Sequence, residues 1–275
     1  MSATLLHGDC IQLMRDMSDH SVDCFICDLP YGQLTRPKIG GGGRERLSVE
    51  RCAWDVKLNL EEFWTQVKRL CRDEHTPVLM FCNTKFGVEL INSNPSWFRC
   101  DLVWNKQRGV SFLSANKMPM KSHEMIYVFS KKGTYYKRVD IRGEFTGWAR
   151  KESVNKVRVY QPTKGDKLIA MGNDGTHRCA LSVIDIKKPN TLGHPTEKPK
   201  DLYRWLLERY CPADGTVLDP TAGSFNAIAV ARDMGLHGIG MEKDKGFFDT
   251  AVKKFNNEPA PEPEPAPPTN EIISP

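Results

Sequence analysis

The segment Asp28-Leu29-Pro30-Tyr31 combines residue types that can hold and orient a polar ligand. It places a carboxylate, which accepts hydrogen bonds, next to a stiff turn and an aromatic ring. The apolar run at residues 22–27 predicts a strand that ends immediately before Asp28. Because ligands of α/β proteins bind beyond the carboxyl ends of strands, the segment is predicted to line a binding site. Taken alone, Asp28 is more simply explained as an aspartate that caps a turn.

A second acidic residue, Asp219, also follows a strand-like run, at residues 216–218. A glycine-bearing turn, a predicted helix and another strand come next, and that strand ends at Glu242, 23 positions after Asp219. This order is typical of the half-fold that binds nucleosides, in which the terminal acid accepts hydrogen bonds from ribose hydroxyls. A pyrophosphate site would need GxGxxG, but the turn reads Gly223-Ser224-Phe225-Asn226. The pattern therefore favours S-adenosylmethionine, which has no phosphate, over NAD.

Two other motifs have simpler explanations. The run of four glycines at residues 40–43 lacks the GxxxxGK[ST] pattern of a phosphate-binding loop, so it predicts a mobile loop that could act as a lid. Cys24 and Cys27 form a CxxC inside a predicted strand, with no second pair at zinc-finger spacing. We interpret them as buried core thiols in a reducing compartment, and we expect no metal.

Composition predicts a globular protein. The 275 residues are 40% apolar and 27% charged, which is enough for one large domain or a domain with an insertion. No apolar run approaches the roughly 18 residues of a membrane span, and residues 1–10 lack the pattern of a signal peptide. The sequence thus predicts a cytoplasmic protein that does not enter the membrane. Residues 105–190 carry 18 Lys and Arg against 7 Asp and Glu, interleaved with aromatic residues, which fits either a surface for nucleic-acid phosphates or a solvated loop region.

Alternating strand and helix patterns predict an α/β fold with a largely parallel sheet and helices on both faces. The alternation runs through residues 1–132, stops at 133–190 and resumes at 191–256. A helix is predicted at 198–210, with its start marked by Thr196. Residues 257–275 are rich in Pro and Glu and predict a disordered tail.

Three motifs in this order resemble the amino-methylating DNA methyltransferases of the β arrangement. They are Asp-Leu-Pro-Tyr at 28–31, His-Pro-Thr-Glu-Lys-Pro at 194–199 and Asp-Pro-Thr-Ala-Gly-Ser at 219–224. Residues of the family's type also occur at 8–10, 54–55, 104–106 and 123–124. The resemblance implies a Rossmann-like methyltransferase fold with a mostly parallel seven-stranded sheet and circularly permuted motifs. On this basis, residues 1–132 would be the catalytic half, 133–190 the target-recognition insert and 191–256 the cofactor-binding half.

The resemblance also implies roles for individual residues. Asp28 and the carbonyl of Leu29 would each accept a hydrogen bond from the amine of a base, in a turn shaped by Pro30, and Tyr31 would stack on that base. S-adenosylmethionine would be held by Asp9, Cys10, Asp28, Thr196, Lys198, Asp219, Thr221, Ala222, Gly223, Ser224, Phe225, Asn226, Glu242 and Lys243. The family usually has proline at Leu29, phenylalanine at Thr221 and glycine at Phe225. With phenylalanine at 225, the backbone there is not expected to need a conformation reserved for glycine.

The expected activity is N6-methylation of an adenine flipped out of double-stranded DNA. Serine usually replaces Asp28 in enzymes that methylate cytosine N4, so the aspartate favours adenine. Methylation of cytosine N4, of RNA or of a protein amide are alternatives, as is a non-catalytic nucleic-acid-binding or structural protein that retains the fold. The expected setting is a bacterial cytoplasm, with the protein encoded by the cell or by a phage. A restriction-modification partner, a homodimer and the recognised DNA site are questions that one sequence leaves open.

Overall fold

An eight-stranded sheet organises the part of the chain described by the computed structural model, which comprises residues 2–32, 55–110, 112–142, 177–188 and 197–257. In chain order its strands are β1 (Ala3–His7), β2 (Cys24–Cys27), β3 (Val78–Cys82), β4 (Phe98–Val110), β5 (Lys121–Phe129), β8 (Val183–Asp185), β9 (Thr216–Asp219) and β10 (His237–Glu242). Across the sheet they lie in the order β1, β10, β9, β2, β3, β5, β4, β8. A separate pair, β6 (Ile141–Arg142) and β7 (His177–Arg178), forms a small antiparallel sheet.

One strand runs against the rest. β5 is antiparallel to both of its neighbours, β3 and β4, whereas every other adjacent pair in the large sheet is parallel. The carboxyl ends of β1, β10, β9, β2 and β3 therefore lie side by side at one end of the sheet. This line of strand ends is the edge referred to below. Because β5 is reversed, its first residues lie at this same edge.

The central strands are apolar throughout because both of their faces are covered. Every residue of β2 and β3 is buried, which explains their uninterrupted runs of apolar side chains. Three helices, α1 (Cys10–Arg15), α2 (Leu60–Leu70) and α3 (Thr84–Ser93), pack on one face. Another three, α4 (Lys200–Tyr210), α5 (Asn226–Asp233) and α6 (Lys245–Asn257), pack on the other.

Helix α2 illustrates how the sequence builds a covering layer. The buried residues Phe63, Trp64, Val67 and Leu70 recur at helical spacing and face the sheet. The side chain of Asn59 accepts hydrogen bonds from the backbone N–H groups of Glu61 and Glu62, which satisfies the first turn.

The predicted α/β fold, with a largely parallel sheet and helices on both faces, is confirmed, with three local differences. An eighth strand, β8, pairs with β4 and comes from the end of the segment that we expected to be an insert. β4 extends over 13 residues, and its polar second half pairs with β5 although no apolar run marks that half in the sequence. α4 begins at Lys200, with Pro199 as N-cap, so Lys198 lies before the helix. The division into domains stays a prediction, and the glycine run at 40–43 lies outside the described residues. Of the tail predicted at 257–275, the first residue ends α6, and the rest lies outside the described residues.

The two cysteines of the CxxC motif lie on opposite faces of β2. Cys24 packs with the cluster under α4, and Cys27 packs with the cluster under α1 and α2. Burial raises the pKa of both thiols well above their usual value. Successive side chains of a strand point to opposite faces, so the side chains of residues three positions apart point in opposite directions.

No helix in the described ranges is long and apolar enough to cross a membrane.

Candidate active site

The two acidic motifs, nearly two hundred positions apart in the sequence, meet at one edge of the sheet. β2 and β9 are adjacent and parallel, with Phe25 opposite Leu218. Asp28 follows the end of β2, and Asp219 is the last residue of β9. The two carboxylates are close enough for Asp28 to contribute to a raised pKa of Asp219. The strand pattern predicted an acid at the end of each strand, and the pairing of β2 with β9 brings the two acids together.

Two donors hold the carboxylate of Asp28. The hydroxyl of Tyr31 donates to Oδ1 over 3.0 Å, and the ammonium of Lys198 donates to Oδ2. Leu29 is buried in the core and Pro30 is half-buried, so this turn is fixed from beneath. The Tyr31 ring packs against Phe86 with a centroid distance of 4.8 Å. Burial raises the pKa of the Tyr31 hydroxyl, which keeps it a donor.

A group of alternating charges, with buried lysines and half-buried carboxylates, extends from Asp28 to the neighbouring strands. The ammonium of Lys198 lies 4.4 Å from the centre of the Phe81 ring and 3.9 Å from Oε2 of Glu124. Oε1 of Glu124 lies 2.5 Å from the ammonium of Lys106. Burial opposes the charge on Lys198, but Asp28 and Glu124 outweigh it and raise the pKa of its ammonium. Burial likewise opposes the charge of Glu124, whose pKa is nevertheless lowered by Lys198 and Lys106.

Asp219 behaves differently because no described ammonium donates to it. It accepts a hydrogen bond of 3.1 Å from the backbone N–H of Thr221, but burial dominates and raises its pKa to about 8. A neutral carboxylic acid at this position can both donate and accept a hydrogen bond. The hydroxyl oxygen of Thr221 is buried and has no hydrogen-bond partner in the described chain. Both residues thus present polar atoms that a ligand could satisfy.

The turn after Asp219 is tied to the end of β10. Glu242 accepts hydrogen bonds from the backbone N–H groups of Gly223, at 2.9 Å, and Asp244, at 2.7 Å. Burial raises the pKa of this carboxyl. Each carboxylate oxygen has a further lone pair, so Glu242 can still accept from hydroxyl groups of a ligand. Ser224 is half-buried in the same turn, and Ala222 is buried beneath it.

Phe225 adopts a conformation that the sequence analysis did not predict. Its backbone has φ 56° and ψ 21°, in the left-handed region, so the expectation that this position avoids a glycine-type conformation is wrong. The ring is fully buried and packs against Phe248 at 5.9 Å. The turn keeps the shape that glycine would favour, and buried aromatic contact offsets the strain.

The first strand brings Asp9 to the same edge. Oδ1 of Asp9 caps α1 by accepting from the backbone N–H groups of Ile11 and Gln12, and Oδ2 accepts from Lys243 over 3.1 Å. The side chain of Cys10 is buried, which raises the pKa of its thiol to about 12. This thiol therefore contributes through packing and not as a nucleophile.

Asn226 connects the cofactor turn to the segment before α4. Its amide donates to Oε1 of Glu197 over 2.7 Å and to the carbonyl of Lys198 over 3.1 Å. A cavity of about 330 Å³ opens beside these groups, lined by Lys187, Glu197, Lys198, Pro199, Lys200, Asp201, Asn226 and Lys254. Of the residues predicted for the site, only Thr196 lies outside the described chain.

Sequence reasoning gave no role to Glu124, Lys106, Glu197 or Lys254. The first two stand in positions where the family has similar residues, but their place beside Asp28 depends on the reversed direction of β5. Lys254 lies on α6, and no motif marks it; its ammonium reaches both Glu197 and Asn226 at 3.4 Å.

Comparisons with known proteins identify the family to which this chain belongs. A family model described as DNA methylase, for N6 and N4 methyltransferases, matches residues 22–253. The type II methyltransferase M.HinfI of Haemophilus influenzae is 25% identical over 271 residues, covering 92% of this chain and 68% of that protein. M2.LlaDCHI of Lactococcus lactis subsp. cremoris is 20% identical over 275 residues, covering 93% and 90%.

Solved structures share the fold. The M1.HpyAVI–SAM complex is 17% identical, with a TM-score of 0.57 and coverage of 94% of this chain and all of that one. The cytosine-N4-specific PvuII DNA methyltransferase is 14% identical, with a TM-score of 0.62 and coverage of 94% and 89%. Since the family model spans most of the chain, the protein belongs to the family of DNA methylases that modify the exocyclic amino groups of bases.

Proposed function

We propose that this protein transfers a methyl group from S-adenosylmethionine to N6 of an adenine flipped out of double-stranded DNA. The observation that carries this proposal is the placement of Asp28, held by Tyr31, at the strand end next to Asp219. One carboxylate is positioned to hold an amine, and its neighbour belongs to the nucleoside half-site. When bound, the cofactor supplies an electrophilic methyl group on a sulfonium.

The residues at the strand ends fit such a cofactor. Glu242 would accept from the ribose hydroxyls, and Asp219, neutral near pH 7, could donate to the nucleoside or accept from it. The unpartnered hydroxyl of Thr221 offers one more polar contact. Asp9 and Lys243 would border the adenine, and Thr196 and Lys198 the methionine end. Cys10 would contact it from the start of α1. The remaining groups would contact it through the turn and the start of α5: Ala222, Gly223, Ser224, Phe225 and Asn226.

Asp28 would act on the target by orientation. Adenine N6 is a weak nucleophile because its lone pair is delocalised into the ring. If Asp28 and the carbonyl of Leu29 each accept one N6 hydrogen, the nitrogen is drawn toward tetrahedral geometry and its lone pair points away from the ring plane. Positioning and electrostatic stabilisation then supply the rate enhancement, and no covalent enzyme intermediate is needed.

The target base must leave the duplex to reach this edge. Flipping costs a few kcal/mol, which stacking on Tyr31 would partly offset. The Tyr31 ring already packs on Phe86, so it is held as one side of such a slot. The basic stretch between residues 133 and 190 would neutralise DNA phosphates. We place the protein in the bacterial cytoplasm and group it with type II methyltransferases such as those it resembles.

The test is direct transfer of a labelled methyl group. Purified protein, DNA and S-adenosylmethionine with a tritiated methyl group should yield labelled DNA, and digestion to nucleosides should place the label on N6-methyl-2′-deoxyadenosine. Label on N4-methylcytosine would assign the other activity of the family, with Asp28 acting on a different amine. Label on RNA or protein would refute DNA as the substrate, and no label on any of these would favour a binding protein that has kept the fold.

A further inference from the structure

The feature that the proposed reaction leaves unexplained is the engagement of Asp28 itself. Tyr31 donates to Oδ1 and the buried ammonium of Lys198 donates to Oδ2. An incoming amine needs one of these oxygens as an acceptor. It also acquires positive charge as the methyl group is transferred, and it keeps that charge until a proton leaves the nitrogen. An ammonium held against the same carboxylate opposes both steps.

A second carboxylate lies within reach of that ammonium. Oε2 of Glu124 is 3.9 Å from Nζ of Lys198. A charge-assisted hydrogen bond has a length of about 2.8 Å, so a movement of roughly 1 Å by a long, flexible side chain would complete it. The side chain of Lys198 is 4% exposed, so water cannot readily take the place of this second acceptor.

Glu124 is itself held in place. Its other oxygen, Oε1, lies 2.5 Å from the ammonium of Lys106, whose side chain is 6% exposed. Both residues lie on neighbouring strands, since Trp104 of β4 is paired with Glu124 of β5. The acceptor is therefore fixed on the rigid sheet, whereas Lys198 lies on the segment before α4.

We infer that Glu124 is a positioning residue, which takes Lys198 away from Asp28 when the amine of the target base arrives. This inference rests on the proposed function. This movement of Lys198 changes no charge in the group, because one ammonium passes from one carboxylate to another and Lys106 stays in place. It frees Oδ2 of Asp28 and moves a positive charge away from the reacting nitrogen.

The surrounding charges favour an ammonium paired with a carboxylate both before and after Lys198 moves from Asp28 to Glu124. The pKa of Lys198 is raised even though burial opposes its charge, and the pKa of Glu124 is lowered even though burial opposes its charge. Both groups therefore remain charged near pH 7, and the movement needs no proton transfer.

The test is the variant Glu124→Gln in the full-length protein, with kcat and the KM values for S-adenosylmethionine and DNA measured separately. The amide cannot draw Lys198 from Asp28, so kcat should fall by about tenfold to a hundredfold, the range expected for misplacement on the ångström scale. KM for the cofactor and the thermal midpoint should stay close to the wild-type values. If this variant does not fold, Glu124→Asp replaces it: the charge is retained but withdrawn by one methylene, and kcat should fall by a smaller factor.

Glu74→Gln is the matched control. Glu74 also pairs with two lysines, Lys131 and Lys132, but lies beside the start of β3, at the opposite edge of the sheet. Its loss should leave kcat unchanged. If the wild type is active and the Glu124→Gln variant keeps the wild-type kcat, this inference alone is overturned. The same holds if the variant loses cofactor affinity or thermal stability while its kcat stays intact. A wild-type protein that transfers no methyl group overturns the proposed function together with it.

Discussion

The ring of Phe225 fills the space that a side chain at Gly240 would need. A Cβ atom at position 240 would lie 2.6 Å from the Phe225 ring and 2.7 Å from the side chain of Ile228. Phe225 begins the helix that follows the cofactor turn, and Gly240 lies in β10, two residues before Glu242. The small residue in the strand and the large residue in the turn are therefore complementary.

Gly240→Ala should destabilise the fold by about 1–3 kcal/mol, because overpacking displaces Phe225 or Ile228. Displacement of Phe225 should also weaken cofactor binding, since the turn is anchored through its ring. Urea unfolding and calorimetric titration of the cofactor would measure both effects. Gly133→Ala is the control, because a Cβ atom there would meet nothing within 4 Å. Equal stability of the two variants would contradict the proposed complementarity.

Phe225→Gly separates backbone strain from packing. Glycine removes a left-handed strain of about 1–2 kcal/mol, but loss of a fully buried phenylalanine costs about 3–5 kcal/mol. Because the lost packing outweighs the relieved strain, the variant should be less stable by roughly 2–3 kcal/mol even though the backbone conformation suits glycine. Urea unfolding would show it. A variant as stable as the wild type would mean that the ring contributes little at this site.

Asp219 should make stability depend on pH. Its pKa is raised by burial from 3.8 to about 8, so the folded protein binds a proton that the unfolded chain has released across that interval. Its contribution to stability is full below about pH 4 and is lost as pH rises toward 8. In Asp219→Asn this dependence is absent. The free energy of unfolding of the wild type minus that of the variant should therefore decrease from pH 5 to pH 8.5. A flat difference would show that Asp219 is ionised in the folded protein.

The sequence predicted the parts of this molecule that follow from local patterns. Apolar runs marked β2 and β9, and acids at the ends of these strands marked Asp28 and Asp219, because ligands bind beyond the carboxyl ends of parallel strands. No local pattern marks the second half of β4, because it carries polar residues at a partly exposed position in the sheet. The left-handed conformation of Phe225 was missed because its stabilising contacts, with Gly240 and Phe248, come from elsewhere in the chain.

The position of Glu124 beside Lys198 could not be predicted from local sequence patterns. Its family-like position was visible in the sequence, but nothing near it specifies the direction of β5. Only the pairing of β5 with β3 and β4 brings this carboxylate to within 3.9 Å of Lys198, 74 positions away. Long-range pairing of this kind is set by the sum of core contacts and not by any motif.

Asp28→Ala should reduce methyl transfer by about a thousandfold or more, since the variant lacks the side-chain acceptor that orients the amine. The cofactor should still bind measurably, because Glu242, Asp219 and the turn are unchanged. The fold should persist, because Glu124 remains 3.9 Å from the ammonium of Lys198. Tritium transfer, cofactor titration and thermal unfolding would be compared with the wild type. Full activity in this variant would exclude Asp28 from the reaction.

The basic stretch should govern how DNA binding depends on salt. Replacing Arg150, Lys151, Lys156 and Arg158 with glutamine should weaken binding and reduce the slope of log K against log salt concentration by about 0.9 for each phosphate that the variant no longer neutralises. Fluorescence anisotropy of labelled duplex DNA between low and physiological salt would measure it. Arg15→Gln and Lys68→Gln together form the control, because these residues lie near the ends of α1 and α2, at the opposite edge of the sheet from Asp28. An unchanged slope in the fourfold variant, or an equal weakening in the control, would place the DNA-binding surface elsewhere.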